Sequence, residues 1–169
     1  MRRLVTKQEN FFNPELEMCA MGSLPYELPA MLNKLIESGV WATGNSNQQE
    51  LRPLLGKEAA QKLSAEDRRI VLMTPPFHTI GDEVRGGNNF WKTGVTNPNE
   101  IDYERALIIA DFGLGSDSPI ILYYETANSP TVMYLRWLGN GQNIRHQWVE
   151  THTTFDEFAS AVGLDRMHA

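Results

Sequence analysis

Two carboxylates, Asp111 and Asp117, lie six residues apart across a glycine-rich turn, and they are the strongest candidates for acid/base chemistry in this chain. If the turn brought them together, their mutual repulsion would raise the pKa of one and prepare it as a proton donor. Alternatively, each could accept hydrogen bonds from nearby backbone amides, as aspartate does in turns. We favour the turn role, because spacing alone does not specify a carboxylate pair. No catalytic residue is therefore predicted.

The turn joins two apolar runs, Leu107–Ile109 before it and Ile120–Tyr124 after it, which is the pattern of strand, polar turn and strand. Glycine adopts a positive φ almost without strain, and Asp and Ser side chains hold such loops through hydrogen bonds to the backbone. We predict that this loop either specifies the fold or contacts a partner. Its candidate residues are Asp111, Gly113, Gly115, Ser116 and Asp117.

Two nucleotide-related motifs fail on their context. Asp111, Phe112 and Gly113 match the magnesium-binding triplet of protein kinases, but the glycine-rich loop, strand lysine and H-R-D loop that it requires are missing. The segment 113–116 lacks the lysine of a phosphate-binding loop, and it leads into a strand instead of a helix. Neither kind of phosphate chemistry is predicted.

The histidines and the single cysteine do not form a recognisable site. His146 and His152 would lie about 20 Å apart on one extended strand, too far to share a metal ion. His78 and His168 show no metal-binding spacing either. Cys19 has no nearby histidine, and no serine stands in a G-x-S-x-G motif. We therefore predict no metal site, no cofactor and no nucleophilic catalysis.

Helical periodicity is clear in the first half of the chain. Apolar residues recur at helical spacing within Leu28–Ile36, with Ser23 as the predicted N-cap and Gly39 as the predicted stop. A second helix is predicted at Gly56–Leu63. Residues 1–22 mix aromatic and charged side chains, and we predict that they form an extension packed on a domain of residues 23–169.

From Ile70 onward the apolar period becomes that of strands. A hairpin turn is predicted at Arg85–Asn89. Short connections favour antiparallel neighbours, because a parallel crossover needs a dozen or more residues. The capping-box pair Thr154 and Glu157 begins a short C-terminal helix. The predicted strands are Ile70–Met73, Phe77–Ile80, Arg105–Phe112, Pro119–Tyr124, Thr131–Leu138 and Ile144–Glu150.

These elements predict a single α+β domain. Its centre is a mainly antiparallel sheet of about five to six strands, on which N-terminal helices and the short C-terminal helix pack. A chain of 169 residues can bury one good core and is short for two domains.

The four tryptophans belong either to the core or to an interface, and we expect about three of them to be structural. Alternation along the strand 131–138 separates two sets of side chains. The opposite face then presents Tyr134 and Arg136, and we predict that these two residues and Trp91 contact a partner. The more apolar set, predicted to face the core, comprises Thr131, Met133, Leu135 and Trp137.

Charge and composition limit the classes of partner and compartment. A formal net charge of −6 and a pI near 5.2 argue against nucleic acid and favour a basic partner. No window reaches the roughly 18 apolar residues of a membrane span, and no signal peptide follows Arg2 and Arg3. The single cysteine excludes an intrachain disulfide and is typical of the cytoplasm. We predict a cytoplasmic monomer or weak homodimer that binds neither nucleic acid nor membranes.

The C-terminal part of the chain resembles the SUKH superfamily. The resemblance rests on Ile109–Tyr124, on the strand Pro130–Leu135, and on Trp148 followed by Phe155–Phe158 and a closing Leu164. The first hundred residues match only loosely. One triplet departs from the family pattern, because residues 123–125 read Tyr-Tyr-Glu where an Asp-Tyr-Arg-like triplet is usual.

Members of this superfamily include fungal regulators of cell-wall synthesis and many bacterial toxin-immunity proteins. The resemblance implies a non-enzymatic protein-binding domain, an immunity protein that neutralises a cognate toxin by occupying it. The acidic charge would assist binding if the toxin is a basic nuclease. Two alternatives stay open: a small enzyme or ligand-binding domain that uses the Asp111 to Asp117 loop, and a regulatory adaptor.

Overall fold

A six-stranded antiparallel sheet forms the centre of the domain, and each strand pairs with its neighbour in sequence. A computed structural model describes residues 26–41, 49–50, 70–92, 100–112, 118–126, 128–139 and 145–167. The strands are β1 (Gln49–Glu50), β2 (Ile70–Leu72), β3 (Ala106–Phe112), β4 (Pro119–Tyr123), β5 (Thr131–Leu138) and β6 (Arg145–His152). The helices of the described part are α1 (Ala30–Glu37), α2 (Ile80–Gly86), α3 (Asn89–Lys92) and α4 (Phe155–Ala161). The predicted single-domain α+β fold is confirmed.

Helices cover both faces of the sheet, so the domain has two hydrophobic cores. On the first face, Leu35 of α1 and Phe158 of α4 pack in one buried cluster. On the second face, Ile80 of α2 and Trp91 of α3 pack with Leu135 of β5. The layers are therefore helix, sheet and helix, and side chains that alternate along a strand enter different cores.

The predicted core face of β5 is only partly right. Leu135 is buried on the second face, but Val132 and Tyr134 are buried on the first face, which was predicted to point outward. The prediction assumed that one face of the sheet meets water, whereas helices cover both. At the end of the strand Arg136 and Trp137 are both exposed, so the described helices cover that end only in part.

Helix α1 begins later than its periodicity predicted. Its N-cap position is Pro29, whose ring carries no group that could accept a capping hydrogen bond. A proline disfavours helical conformation in the residue before it, so Leu28 does not extend the helix. The predicted stop is confirmed, because Gly39 has a φ of +73°. The predicted cap, Ser23, lies outside the described residues.

Residues 80–92 form the two short helices α2 and α3, where the sequence predicted the end of a strand and a hairpin turn. The predicted strand Phe77–Ile80 is reduced to one β-bridge at Thr79, and the chain then enters α2. The predicted turn Arg85–Asn89 contains Gly87, whose φ of +97° forms the C-cap of α2. A glycine with positive φ is typical of hairpin turns and of helix C-caps alike, so the local pattern did not distinguish them.

Strand β1 was not predicted, whereas β2 to β6 and α4 agree with their predictions to within one or two residues. β5 has the predicted bounds, and the Thr154 hydroxyl accepts a hydrogen bond from the Glu157 backbone at the start of α4. The predicted helix Gly56–Leu63 and the predicted extension 1–22 lie outside the described residues.

Candidate interaction surface

The C-terminal end of β5 carries Trp137, the only large hydrophobic side chain that is exposed within the described ranges, at 36%. Its ring centroid lies 6.4 Å from that of Phe90 on α3 and 4.2 Å from that of His146 on β6. His146 is also its cross-strand partner. We call Phe90, Trp137 and His146 the aromatic surface. Strand pairing and helix packing both hold its exposed indole in place.

A row of buried rings supports the aromatic surface from behind. Phe90 meets Trp91 edge to face, with 4.8 Å between the ring centroids. Trp91 stacks on Trp148 of β6 at 6.2 Å and meets Tyr103 at 6.0 Å. The aromatic surface is therefore the solvent-facing end of a continuous ring cluster, and its position is set by the second-face core.

Of the three residues predicted to contact a partner, only Arg136 is exposed. Trp91 and Tyr134 are each 7% exposed, and Tyr134 packs against Phe112 in the first-face core with 5.2 Å between the ring centroids. Both predictions required side chains that face outward, and helices cover both positions. Large aromatic residues are typical of cores and of interfaces, so residue type did not separate the two settings.

The tryptophans divide as expected, but the exposed one is not the one predicted. Trp41, Trp91 and Trp148 are buried, which confirms the expectation that three of the four are structural. Trp137, which alternation assigned to the core, is the one that reaches solvent. No signal within β5 identifies this exposure, because alternation places Trp137 on the same face as the buried Leu135.

The loop between β3 and β4 contains the other candidate residues. The Asp111 side chain accepts a hydrogen bond from the backbone N–H of Ser118, with 3.0 Å between Oδ1 and N. This contact is the turn role that we favoured from the sequence. The remaining candidates, Gly113, Gly115, Ser116 and Asp117, lie outside the described residues.

Carboxylates on and beside α2 form an acidic face next to the aromatic surface. The Arg85 guanidinium pairs with Asp82 at 2.6 Å and also with Glu104. The Glu104 carboxylate lies so close to Gly81 that a Cβ atom there would overlap it. Absence of a side chain at Gly81 thus lets the carboxylate approach the first turn of α2. We call Asp82, Glu83 and Glu104 the acidic face.

Glu83 connects the acidic face to the aromatic surface. Its Oε2 accepts a hydrogen bond from Asn88 Nδ2 at 2.9 Å, and Asn88 Oδ1 accepts one from the Phe90 backbone at 3.1 Å. Glu83 takes part in none of the ion pairs among the described residues. It also lines an open depression with His78, Asp82 and Asn88. A carboxylate that forms no ion pair with the described residues is therefore linked through Asn88 to the Phe90 backbone.

A capping box sets the position of the acidic face. The hydroxyl of Thr79, a residue that is 3% exposed, accepts a hydrogen bond from the Asp82 backbone at 3.0 Å and donates one to Asp82 Oδ2 at 2.8 Å. The Thr79 backbone N–H donates to the same oxygen at 2.9 Å, and this bond is the main cause that lowers the pKa of Asp82. Because the folded-state pKa lies below the unfolded value of about 3.9, this stabilisation is lost as pH falls through the folded pKa.

We expect Thr79→Ala to lower the free energy of unfolding by about 1 to 2 kcal/mol, because a buried helix cap is lost. Thr79→Ser is the matched control, since it keeps the capping hydroxyl and should lower the free energy of unfolding by less than Thr79→Ala. Urea denaturation at neutral pH measures both variants, and the gap between Thr79→Ala and the parent should narrow as acid protonates Asp82. Equal stability of the Ala and Ser variants would contradict the role of the cap.

Two ring nitrogens of β6, His146 Nε2 and Trp148 Nε1, are buried without a hydrogen-bond partner. They stand two residues apart and therefore belong to the same face of the strand. Trp41, in the first-face core, differs because its Nε1 donates to the Met73 carbonyl at 2.8 Å. The two buried tryptophans Trp41 and Trp148 thus offer a direct comparison of a satisfied and an unsatisfied indole.

The described parts of the chain contain neither a candidate metal site nor a candidate membrane-spanning helix. No group of three or more His, Cys, Asp or Glu side chains there could hold a metal ion. None of the described helices has the length and apolar character needed to cross a membrane.

Comparison with known proteins found no matching family model, no matching curated protein and no matching solved structure.

Proposed function

We propose that this chain is a non-enzymatic protein-binding domain, an immunity protein that neutralises a cognate bacterial toxin by binding it. The observation that carries the proposal is the exposure of Trp137 beside Phe90, backed by packed rings. Tryptophan is enriched among the few residues that dominate binding energy at protein interfaces. An indole already held in place loses little conformational freedom when a partner covers it.

We propose a toxin as the partner because the C-terminal part of the chain resembles the SUKH superfamily. Segments 109–124 and 130–135, which carry that resemblance, contribute to β3, β4 and β5, and Trp137 stands two residues beyond the second segment. The net charge of −6 supports a basic toxin, because long-range attraction speeds the encounter of oppositely charged proteins. We place the protein in the cytoplasm as part of the same proposal.

The contacts of Asp111 favour binding over catalysis. One oxygen of its carboxylate accepts a backbone hydrogen bond across the turn, a role that serves the loop and needs no substrate. An acid/base role would instead require that carboxylate to reach a substrate proton.

The proposal is tested with a secreted toxin encoded beside the gene for this chain. An inactivated toxic domain should co-elute with the full chain in size-exclusion chromatography, and co-expression with the active domain should restore cell growth. An active toxin that kills cells containing folded chain would overturn the proposal. Binding of a small metabolite, with no protein partner, would point to the ligand-binding alternative.

A further inference from the structure

We infer that the bound protein presents an arginine to this chain, with the guanidinium at Glu83 and the side-chain stem lying across Phe90 toward Trp137. This inference rests on the proposed function, because it names the chemistry that the partner brings to the aromatic surface and the acidic face.

On α2, Arg85 pairs with both Asp82 and Glu104, so its single positive charge offsets only one of these two negative charges, and its side chain is 58% exposed between them. Glu83 has no cationic partner among the described residues, and the hydrogen bond that it accepts there comes from the neutral Asn88 amide, which carries no compensating charge. The depression lined by Glu83, Asp82 and His78 is open to solvent, so a cation from another protein can reach the carboxylate.

The Phe90 and Trp137 rings of the aromatic surface lie 6.4 Å apart and are inclined by 31°, and the exposed indole is large and flat. An arginine side chain fits this arrangement, since its long apolar stem can lie across the rings while its guanidinium pairs with the Glu83 carboxylate through two parallel hydrogen bonds. A lysine ammonium is a compact, strongly hydrated charge that cannot form this planar, two-bond pair.

Glu83 and the aromatic surface adjoin each other, so a single arginine side chain can contact both. Phe90 is linked through Asn88 to Glu83 by two hydrogen bonds of 3.1 and 2.9 Å. An arginine whose charged end lies at Glu83 can therefore place its apolar stem over Phe90. Long cationic side chains commonly bury their stems on apolar surface in this way.

The test uses the full chain and a short acetylated, amidated glycine peptide that contains two arginines. The chain has four tryptophans, so its indole N–H groups provide four separate NMR signals. We expect the arginine peptide to shift the Trp137 signal and to leave that of Trp41, which is 0% exposed on the first face, in place. The same peptide with citrulline, a neutral isostere of arginine, should shift neither signal.

Two matched variants separate a specific site from general attraction by an acidic protein. Glu83→Gln keeps an oxygen that can accept from Asn88 and should weaken peptide binding about three- to fivefold at low salt. Glu37→Gln removes the same charge from α1, on the other face of the sheet, and should leave binding unchanged. An unshifted Trp137 signal, or an equal loss in both variants, would overturn the inference.

The result of the peptide experiment does not depend on whether the chain binds the toxin. If the arginine peptide binds at Glu83 but the toxic domain does not bind the chain, the proposed function is wrong and the recognition chemistry stands. If the toxic domain binds and is unaffected by Glu83→Gln, the proposed function stands and the arginine contact is wrong.

Discussion

Trp137→Ala is expected to weaken binding of the cognate toxin by at least about 2 kcal/mol, roughly 30-fold, while the protein stays folded. The indole is exposed, supported by Phe90 and His146, and continuous with the second-face core. A partner that covers it buries a large apolar area at low entropic cost. Isothermal titration calorimetry measures the loss, and the thermal midpoint of the free chain checks that folding is retained.

Arg136→Ala is the matched control for this prediction. Arg136 is the exposed neighbour of Trp137 on β5, and its side chain points to the opposite face of the sheet. We expect binding to change little in this variant. The reverse result, in which Arg136→Ala weakens binding and Trp137→Ala does not, would move the interface to the first face.

Trp41→Ala is expected to lower the free energy of unfolding by about 3 to 5 kcal/mol, the usual cost of truncating a large buried aromatic residue. Trp41 is 0% exposed in the first-face core. Its ring lies 6.1 Å from Phe77 and 6.0 Å from Phe155, and its indole donates to the Met73 carbonyl. Urea denaturation of the full chain measures the effect.

A pair of conservative variants separates packing from hydrogen bonding in the same experiment. Trp41→Phe leaves the Met73 carbonyl without its donor, whereas Trp148→Phe removes an indole N–H that has no partner. We expect Trp41→Phe to be the more destabilising by about 1 kcal/mol. Equal losses would mean that the Trp41 hydrogen bond adds nothing to stability beyond packing.

The four C-terminal strands could be predicted because their signals are local. Apolar runs of strand length are separated by short turns, and short turns leave antiparallel pairing as the only arrangement. The cap at Thr154 was equally clear, since its partner Glu157 stands three residues away. These features depend on residues close together in the chain, so no tertiary information was needed.

Helix α2 was missed because Gly87 suits a hairpin turn as well as a helix C-cap. The Thr79–Asp82 capping box was a local signal for the start of a helix, and the packing of Ile80 on the second face stabilises the helix there. Missing this helix also meant missing the acidic face, since Asp82 and Glu83 belong to α2. A hairpin in its place would have put these carboxylates on alternating faces of a strand.

By itself the sequence determined the α+β class, the antiparallel order of the later strands, the acidic charge and the turn role of Asp111. Only the tertiary structure decided which tryptophan is exposed and that Glu83 is linked through Asn88 to the Phe90 backbone. Alternation along β5 assigned Trp137 to the core and Tyr134 to solvent, and the structure reverses both. The physical reason is that exposure depends on where the covering helices end, and no residue of β5 carries that information.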